Sequence, residues 1–178
     1  PYMGPPLHHS FMQFHGLSEE DAARAVDFYR ERFSEVGLFE NEVIEGIPDL
    51  LRDLQERGVT LIVATSKPEE FTNRILERYD LMRYFTCAVG STLSGLRPEK
   101  ADVIAYIREK YPEIAAENTL MIGDRKFDIL GAHACGLPAV GVLFGYGDRA
   151  EMEAAGADYI VETVEELGDL LRKVISIT

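Results

Sequence analysis

Apolar residues change their period along this chain. From Ser18 the pattern is helical: Ala22, Val26, Tyr29 and Phe33 recur at helical spacing, Ser18 stands at an N-cap position, and Glu19, Glu20 and Asp21 suit the positive end of the dipole. No strand-like alternation precedes about residue 58. A turn over Phe39 to Gly46 leads to a second helix, opened by Pro48, carrying Leu50, Leu51 and Leu54, and closed at Gly58. Val59 to Ala64 (VTLIVA) is then a continuous β-branched run, which predicts a strand buried on both faces, before Pro68 to Tyr79 restores helical spacing. Three more such units follow: Thr86 to Val89 with Ala101 to Tyr111, Thr119 to Ile122 with Ile129 to Cys135, and Ala139 to Leu143 with Arg149 to Ala155. A short strand over Tyr159 to Val161 and a helix from about Val164 close the series. This alternation predicts an α/β fold, a doubly wound parallel sheet with helices on both faces.

In such a sheet ligands bind beyond the carboxyl ends of the strands. Those ends carry Thr65-Ser66-Lys67-Pro68, Gly90-Ser91, Gly123-Asp124-Arg125 and Gly145-Tyr146-Gly147. Asp124 and Asp128, four residues apart, can face one point and make a partial magnesium site, since magnesium takes few protein carboxylates and completes its shell with water and phosphate oxygens. The alternative makes Asp128 the N-cap of a helix starting at Ile129 and Asp124 a solvated loop acid. Thr65 and Ser66 can cradle a phosphate with hydroxyls and free N–H groups, or Ser66 and Glu69 can form a capping box. Lys100 either neutralises phosphate charge or is a solvated lysine at a helix start. His8 and His9 fit a polar loop better than a substrate contact, and His133 fits a structural place among small residues.

Composition narrows the partners. The 178 residues include 46% hydrophobic ones, enough for a full domain and a small accessory one, and Lys+Arg of 18 against Asp+Glu of 31 gives a net charge of -13. Such a surface repels nucleic acid and anionic lipid. Cys87 and Cys135 show no metal-ligand or disulfide spacing, which fits a reducing, cytoplasmic setting. No apolar run reaches the roughly 20 residues of a membrane span, and a signal-peptide pattern is absent at Pro1.

Taken in order, the segments resemble the haloacid-dehalogenase-like hydrolases, within them the phosphoglycolate-phosphatase-like branch with a small helical cap. Leu61 to Pro68 (LIVATSKP) is similar to the family's second motif, Gly95 to Ile104 (GLRPEKADVI) to its third, and Met121 to Gly136 (MIGDRKFDILGAHACG) to its fourth. Gly141 to Gly147 (GVLFGYG) is similar to the segment that follows in this branch, and Gly4 to Phe11 (GPPLHHSF) to its cap. The resemblance implies a Rossmann-like sheet of order 3-2-1-4-5, with a helical cap over residues 1–40 and a core over 41–178. It also implies magnesium-dependent hydrolysis of a small phosphate monoester through an aspartyl phosphate. Thr65 would hydrogen-bond the phosphoryl group, Ser66 contribute its N–H, Lys100 balance charge, and Asp124 bind Mg2+. Asp128 would hold a metal-bound water or orient Lys100.

The family's first motif, Asp-x-Asp-Gly-Thr, supplies the nucleophile and the acid/base, and it does not occur here. It lies on strand 1, the central one. An upstream segment carrying that strand is therefore expected, because without it strands 59–64 and 119–122 would each leave an edge unpaired; direct pairing of these two would contradict the expectation. The competing expectations are a non-catalytic phosphate- or partner-binding module and, on the same fold, a phosphomutase or a dehalogenase; the two acids count against the last.

Overall fold

A computed structural model describes residues 7–175. Two helices come first, α1 (Leu7–His15) and α2 (Glu19–Glu35). His8 and His9 thus lie on a helix and not in a polar loop; Gly16, at φ +64°, ends it, and the His8 Nε2 is 3.2 Å from the Glu19 carbonyl oxygen, which ties α1 to the start of α2. Ser18 caps α2 as expected, its Oγ accepting from Asp21 N at 3.1 Å. Ala22 and Val26 form the buried stripe. The residues 1–6 of the cap-like segment lie outside the described residues.

After α3 (Ile47–Glu56), strand and helix alternate: β1 (Ile62–Pro68), α4 (Glu69–Arg78), β2 (Cys87–Ser91), α5 (Lys100–Lys110), β3 (Met121–Gly123), α6 (Lys126–Ala134), β4 (Ala139–Val142), α7 (Arg149–Ala155), β5 (Tyr159–Val161) and α8 (Val164–Ile175). All strand pairs among the described residues are parallel. They form two sheets, β1-β2 and β3-β4-β5, and β1 is not hydrogen-bonded to β3. With the chain's strands ordered β2-β1 and β3-β4-β5, the 3-2 and 4-5 neighbours of the expected order are kept, and β5 extends the second sheet by one strand.

Two sequence readings need correction here. The first strand begins later than Val59 to Ala64 and runs through the Thr65 to Pro68 stretch, with a register shift against β2 after Ala64. It is also half-buried along its length and not enclosed on both faces, because only one of its edges is paired. The most buried strand is β4, which has a partner on each edge.

Helices cover both faces. Leu50 and Leu54 of α3 and Leu167 and Leu171 of α8 pack with Val140, Val142 and Val161. Ile104 of α5, Ile129 and Ala132 of α6 and Met152 of α7 pack with Leu137 and Ala139 on the other side. The α1/α2 pair meets the remainder through aromatic contacts: Phe33 stacks with Tyr29 (5.5 Å between centroids) and lies edge-on to Phe71 of α4 (5.4 Å). Arg30 Nη1 adds a 3.2 Å bond to the Leu93 carbonyl oxygen. No helix among the described residues is long and apolar enough to cross a membrane.

Candidate active site

Lys100 opens α5, where a lysine is normally solvated, yet it is only 8% exposed. Its Nζ donates to the Ala64 carbonyl oxygen at 2.6 Å and pairs with Asp128 Oδ1 at 2.8 Å. The stem fits because Gly131 lies opposite it: a Cβ there would sit 2.7 Å from Lys100 Cβ and Cγ. One ammonium group thus joins the middle of β1 to the first turn of α6.

Asp128 is not an N-cap. Helix α6 starts at Lys126, so Asp128 sits in the first turn with Oδ2 accepting from Arg125 N at 3.0 Å, the residue just outside the helix. Both of its oxygens are engaged, one by Lys100 and one by that N–H. Its side chain also packs against Gly123, where a Cβ would be 2.5 Å from Oδ2.

Asp124 is half-buried at the end of β3. Its backbone oxygen accepts from Gly147 N and its Oδ2 from Tyr146 N, both at 2.9 Å, while Oδ1 accepts no bond among the described residues. Gly145 is what permits this approach, since a Cβ there would be 2.5 Å from Asp124 Oδ2. An oxygen held free on an oriented carboxylate suits a hard cation such as magnesium, which needs few protein ligands. No group of three or more His, Cys, Asp or Glu side chains able to hold a metal occurs among the described residues. With Asp124 as the carboxylate offered by the described residues, a cation here would take the rest of its shell from water and substrate.

Thr65 and Ser66 stand at the other side, on the C-terminal part of β1. Thr65 Oγ1 accepts from Lys67 N at 3.1 Å, which leaves its own O–H available to donate outward. Ser66 does not form the capping box with Glu69. The residue before α4 is Pro68, without a side-chain cap; Glu69 Oε2 turns to Gly90 N and Arg97 Nη2, each at 3.4 Å. The Ser66 carbonyl oxygen instead accepts from Ser91 Oγ at 2.9 Å, locking β1 to β2.

Several contributors were not singled out from the sequence. Glu151 of α7 accepts from Arg125 Nε and from Lys126 N, both at 2.8 Å, and so staples the start of α6 between Asp124 and Asp128. Burial pushes its carboxyl up, but the Arg125 guanidinium and the Lys126 N–H outweigh this and hold it below the usual range. Lys67 is the second: its ammonium lies 4.6 Å from the Phe33 ring centroid of α2, and burial lowers its pKa. Neither shows in local patterning, because each partner comes from a distant segment. The expected structural role of His133 agrees with its place on α6, 3.0 Å from Asp158 Oδ2.

A parallel α/β core thus carries acids, hydroxyls and a buried lysine near its strand ends. The model of the haloacid dehalogenase-like hydrolases matches residues 1–142, and the chain belongs to that family. It is 45% identical over 153 residues to a 5'-nucleotidase of Pseudomonas aeruginosa, covering 86% of this chain and 69% of that protein. Tyrosine-protein kinase PtkA of Mycobacterium tuberculosis is 34% identical over 171 residues; the match covers 95% of this chain but spans only 58% of the kinase. A crystal structure described as a predicted phosphatase from Clostridium acetobutylicum superposes with a TM-score of 0.92 at 44% identity, covering 97% of this chain and 79% of that one. Phosphatase is thus the class its relatives support, as the sequence motifs imply.

Proposed function

We propose that this chain supplies the cap and most of the core of a magnesium-dependent phosphatase acting on a small phosphate monoester. The observation that carries this reading is the buried Lys100 to Asp128 pair, which ties Ala64, the residue before Thr65 on β1, to the start of α6, four residues after Asp124, while β1 and β3 are not paired. A strand seated between β1 and β3 would satisfy both edges and bring its aspartates into this ring of groups. One aspartate would attack phosphorus to form an aspartyl phosphate, the other would protonate the leaving oxygen and then activate water.

The chain's own residues have defined parts in this scheme. The Thr65 hydroxyl donates to a phosphoryl oxygen, with the Ser66 N–H beside it. Lys100, held in place by Asp128 and the Ala64 carbonyl, keeps positive charge between carboxylate and phosphate so that two anions can approach. Asp124 presents Oδ1 to magnesium, with Oδ2 fixed by Tyr146 N. Bound there, magnesium would neutralise phosphoryl charge. The α1/α2 pair, within the expected cap of residues 1–40, would cover the strand ends.

Release of phosphate from an aryl phosphate, assayed with the full-length protein, tests the reading. Activity should require a divalent cation, and Asp124→Ala should abolish it while the far-UV circular dichroism is preserved. Turnover that persists in chelator would overturn the proposal.

A further inference from the structure

Arg97, in the loop between β2 and α5, holds a backbone conformation that its place in the chain disfavours. Its φ is +56°, on the left-handed side that residues with a side chain rarely adopt, and it precedes Pro98, which pushes the residue before it toward extended backbone. Such a conformation persists where the surroundings hold it. Here the side chain does the holding. Its Nε donates to the Gly90 carbonyl oxygen at 2.9 Å, Nη2 lies 3.4 Å from Glu69 Oε2, and the guanidinium covers the Tyr106 ring at 4.2 Å from the centroid. At 19% exposure it is no ordinary surface ion pair. Glu69 Oε2 also accepts from Gly90 N at 3.4 Å, so β2, α4 and α5 meet at this one arginine.

What Arg97 grips adjoins the candidate site on both sides of Thr65. Gly90 is pressed against the end of β1, where any Cβ on it would strike the Lys67 carbonyl oxygen and stand 3.0 Å from Glu69 N. Ser91, the next residue, donates to the Ser66 carbonyl oxygen. Three residues after Arg97 comes Lys100, whose Nζ returns to β1 at the Ala64 carbonyl oxygen. The segment from Arg97 to Lys100 is thus fastened to β1 before Thr65 through Lys100, and after it through Gly90 and Glu69. We propose that Arg97 is a positioning residue for phosphoryl transfer, which sets the Lys100 ammonium relative to the Thr65 hydroxyl. This inference rests on the phosphatase reading above. Arginine suits the place because its planar fork donates sideways from Nε, reaches a carboxylate with Nη2 and lies on a ring at once; the single ammonium of a lysine does not.

The test measures kcat and KM for p-nitrophenyl phosphate in the full-length protein with magnesium, well below the melting temperature of each variant. Arg97→Met should lower kcat about tenfold while KM stays within about twofold, because a displaced Lys100 impairs the approach of carboxylate to phosphorus more than it impairs substrate binding. Arg97→Lys, which keeps a cation beside Tyr106, should recover part of the lost kcat. Where Arg97→Met does not fold, Arg97→Gly replaces it, since glycine adopts φ +56° without strain, and the same fall in kcat is expected. An unchanged kcat in a folded variant, with the melting temperature alone lowered, would make Arg97 a purely structural contact and overturn the inference while leaving the phosphatase reading standing. A raised KM at unchanged kcat would overturn it as well, by making Arg97 a substrate contact. A wild type that releases no phosphate would overturn both.

Discussion

Lys100 Nζ lies 2.8 Å from Asp128 Oδ1 and donates to the Ala64 carbonyl oxygen, so one side chain spans the line along which the two sheets do not pair. Both side chains are nearly enclosed, at 8% and 11% exposure. Removing either partner strands a buried charge, which costs about 3–5 kcal/mol in comparable pairs. Lys100→Met should therefore destabilise the protein by about 3 kcal/mol or more in urea unfolding. Lys100→Met combined with Asp128→Leu should cost clearly less than the two single changes summed. Strict additivity would mean that the pair is not coupled.

Gly131 makes room for the Lys100 stem. Gly131→Ala should gain helix propensity, yet the new methyl would stand 2.7 Å from Lys100 Cβ and Cγ, closer than carbon atoms approach. The steric cost dominates, and a net loss of about 1–3 kcal/mol is expected, with activity falling alongside. A stabilised variant, read by thermal melting, would show that α5 and α6 can separate without penalty.

Glu151 touches neither of the two site aspartates, but it fixes the start of α6 between them through Arg125 and Lys126 N. Glu151→Gln keeps the size and removes the charge. The apparent affinity for magnesium should weaken by roughly tenfold while the melting temperature moves little. A parallel fall in stability, or an unchanged magnesium dependence, would reduce Glu151 to a surface ion pair.

Asp158 gives a pH signature away from the site. Its carboxylate accepts from Ala139 N at 2.8 Å and pairs with His133 at 3.0 Å, and the Ala139 bond first, then His133, hold its pKa below the usual value. A lowered carboxyl pKa contributes stability that is present above the unfolded value of about 3.9 and is lost as pH falls through the folded one. The difference in stability between wild type and Asp158→Asn should be under about 1 kcal/mol because the pair is partly exposed, and should shrink progressively as the pH falls below about 4 toward the lowered folded value. A difference that grew on acidification would reverse the sign of the argument.

The alternation of strands and helices was legible because each element carries its own period: α2 announces itself through Ser18, Ala22 and Val26, and α7 and β5 match the expected limits. The register at the site was less legible. Where β1 stops and whether Ser66 or Pro68 precedes α4 depend on Ser91 and Glu69 bonding across the sheet, and no local propensity encodes that. Likewise α6 starts three residues before Ile129, since Arg125 N finds its acceptor in Asp128.

The one-dimensional chain thus determined the class of fold and the four groups Thr65, Lys100, Asp124 and Asp128 as candidates. Tertiary structure decided what each group faces. It buried Lys100 against Asp128, drew Tyr146 N onto Asp124 Oδ2 so that Oδ1 accepts no bond among the described residues, and set Lys67 on Phe33. The physical reason is that charge, hydration and close approach depend on neighbours in space. Lys100 and Lys67 are alike as letters, and only packing gives one a carboxylate and the other an aromatic face.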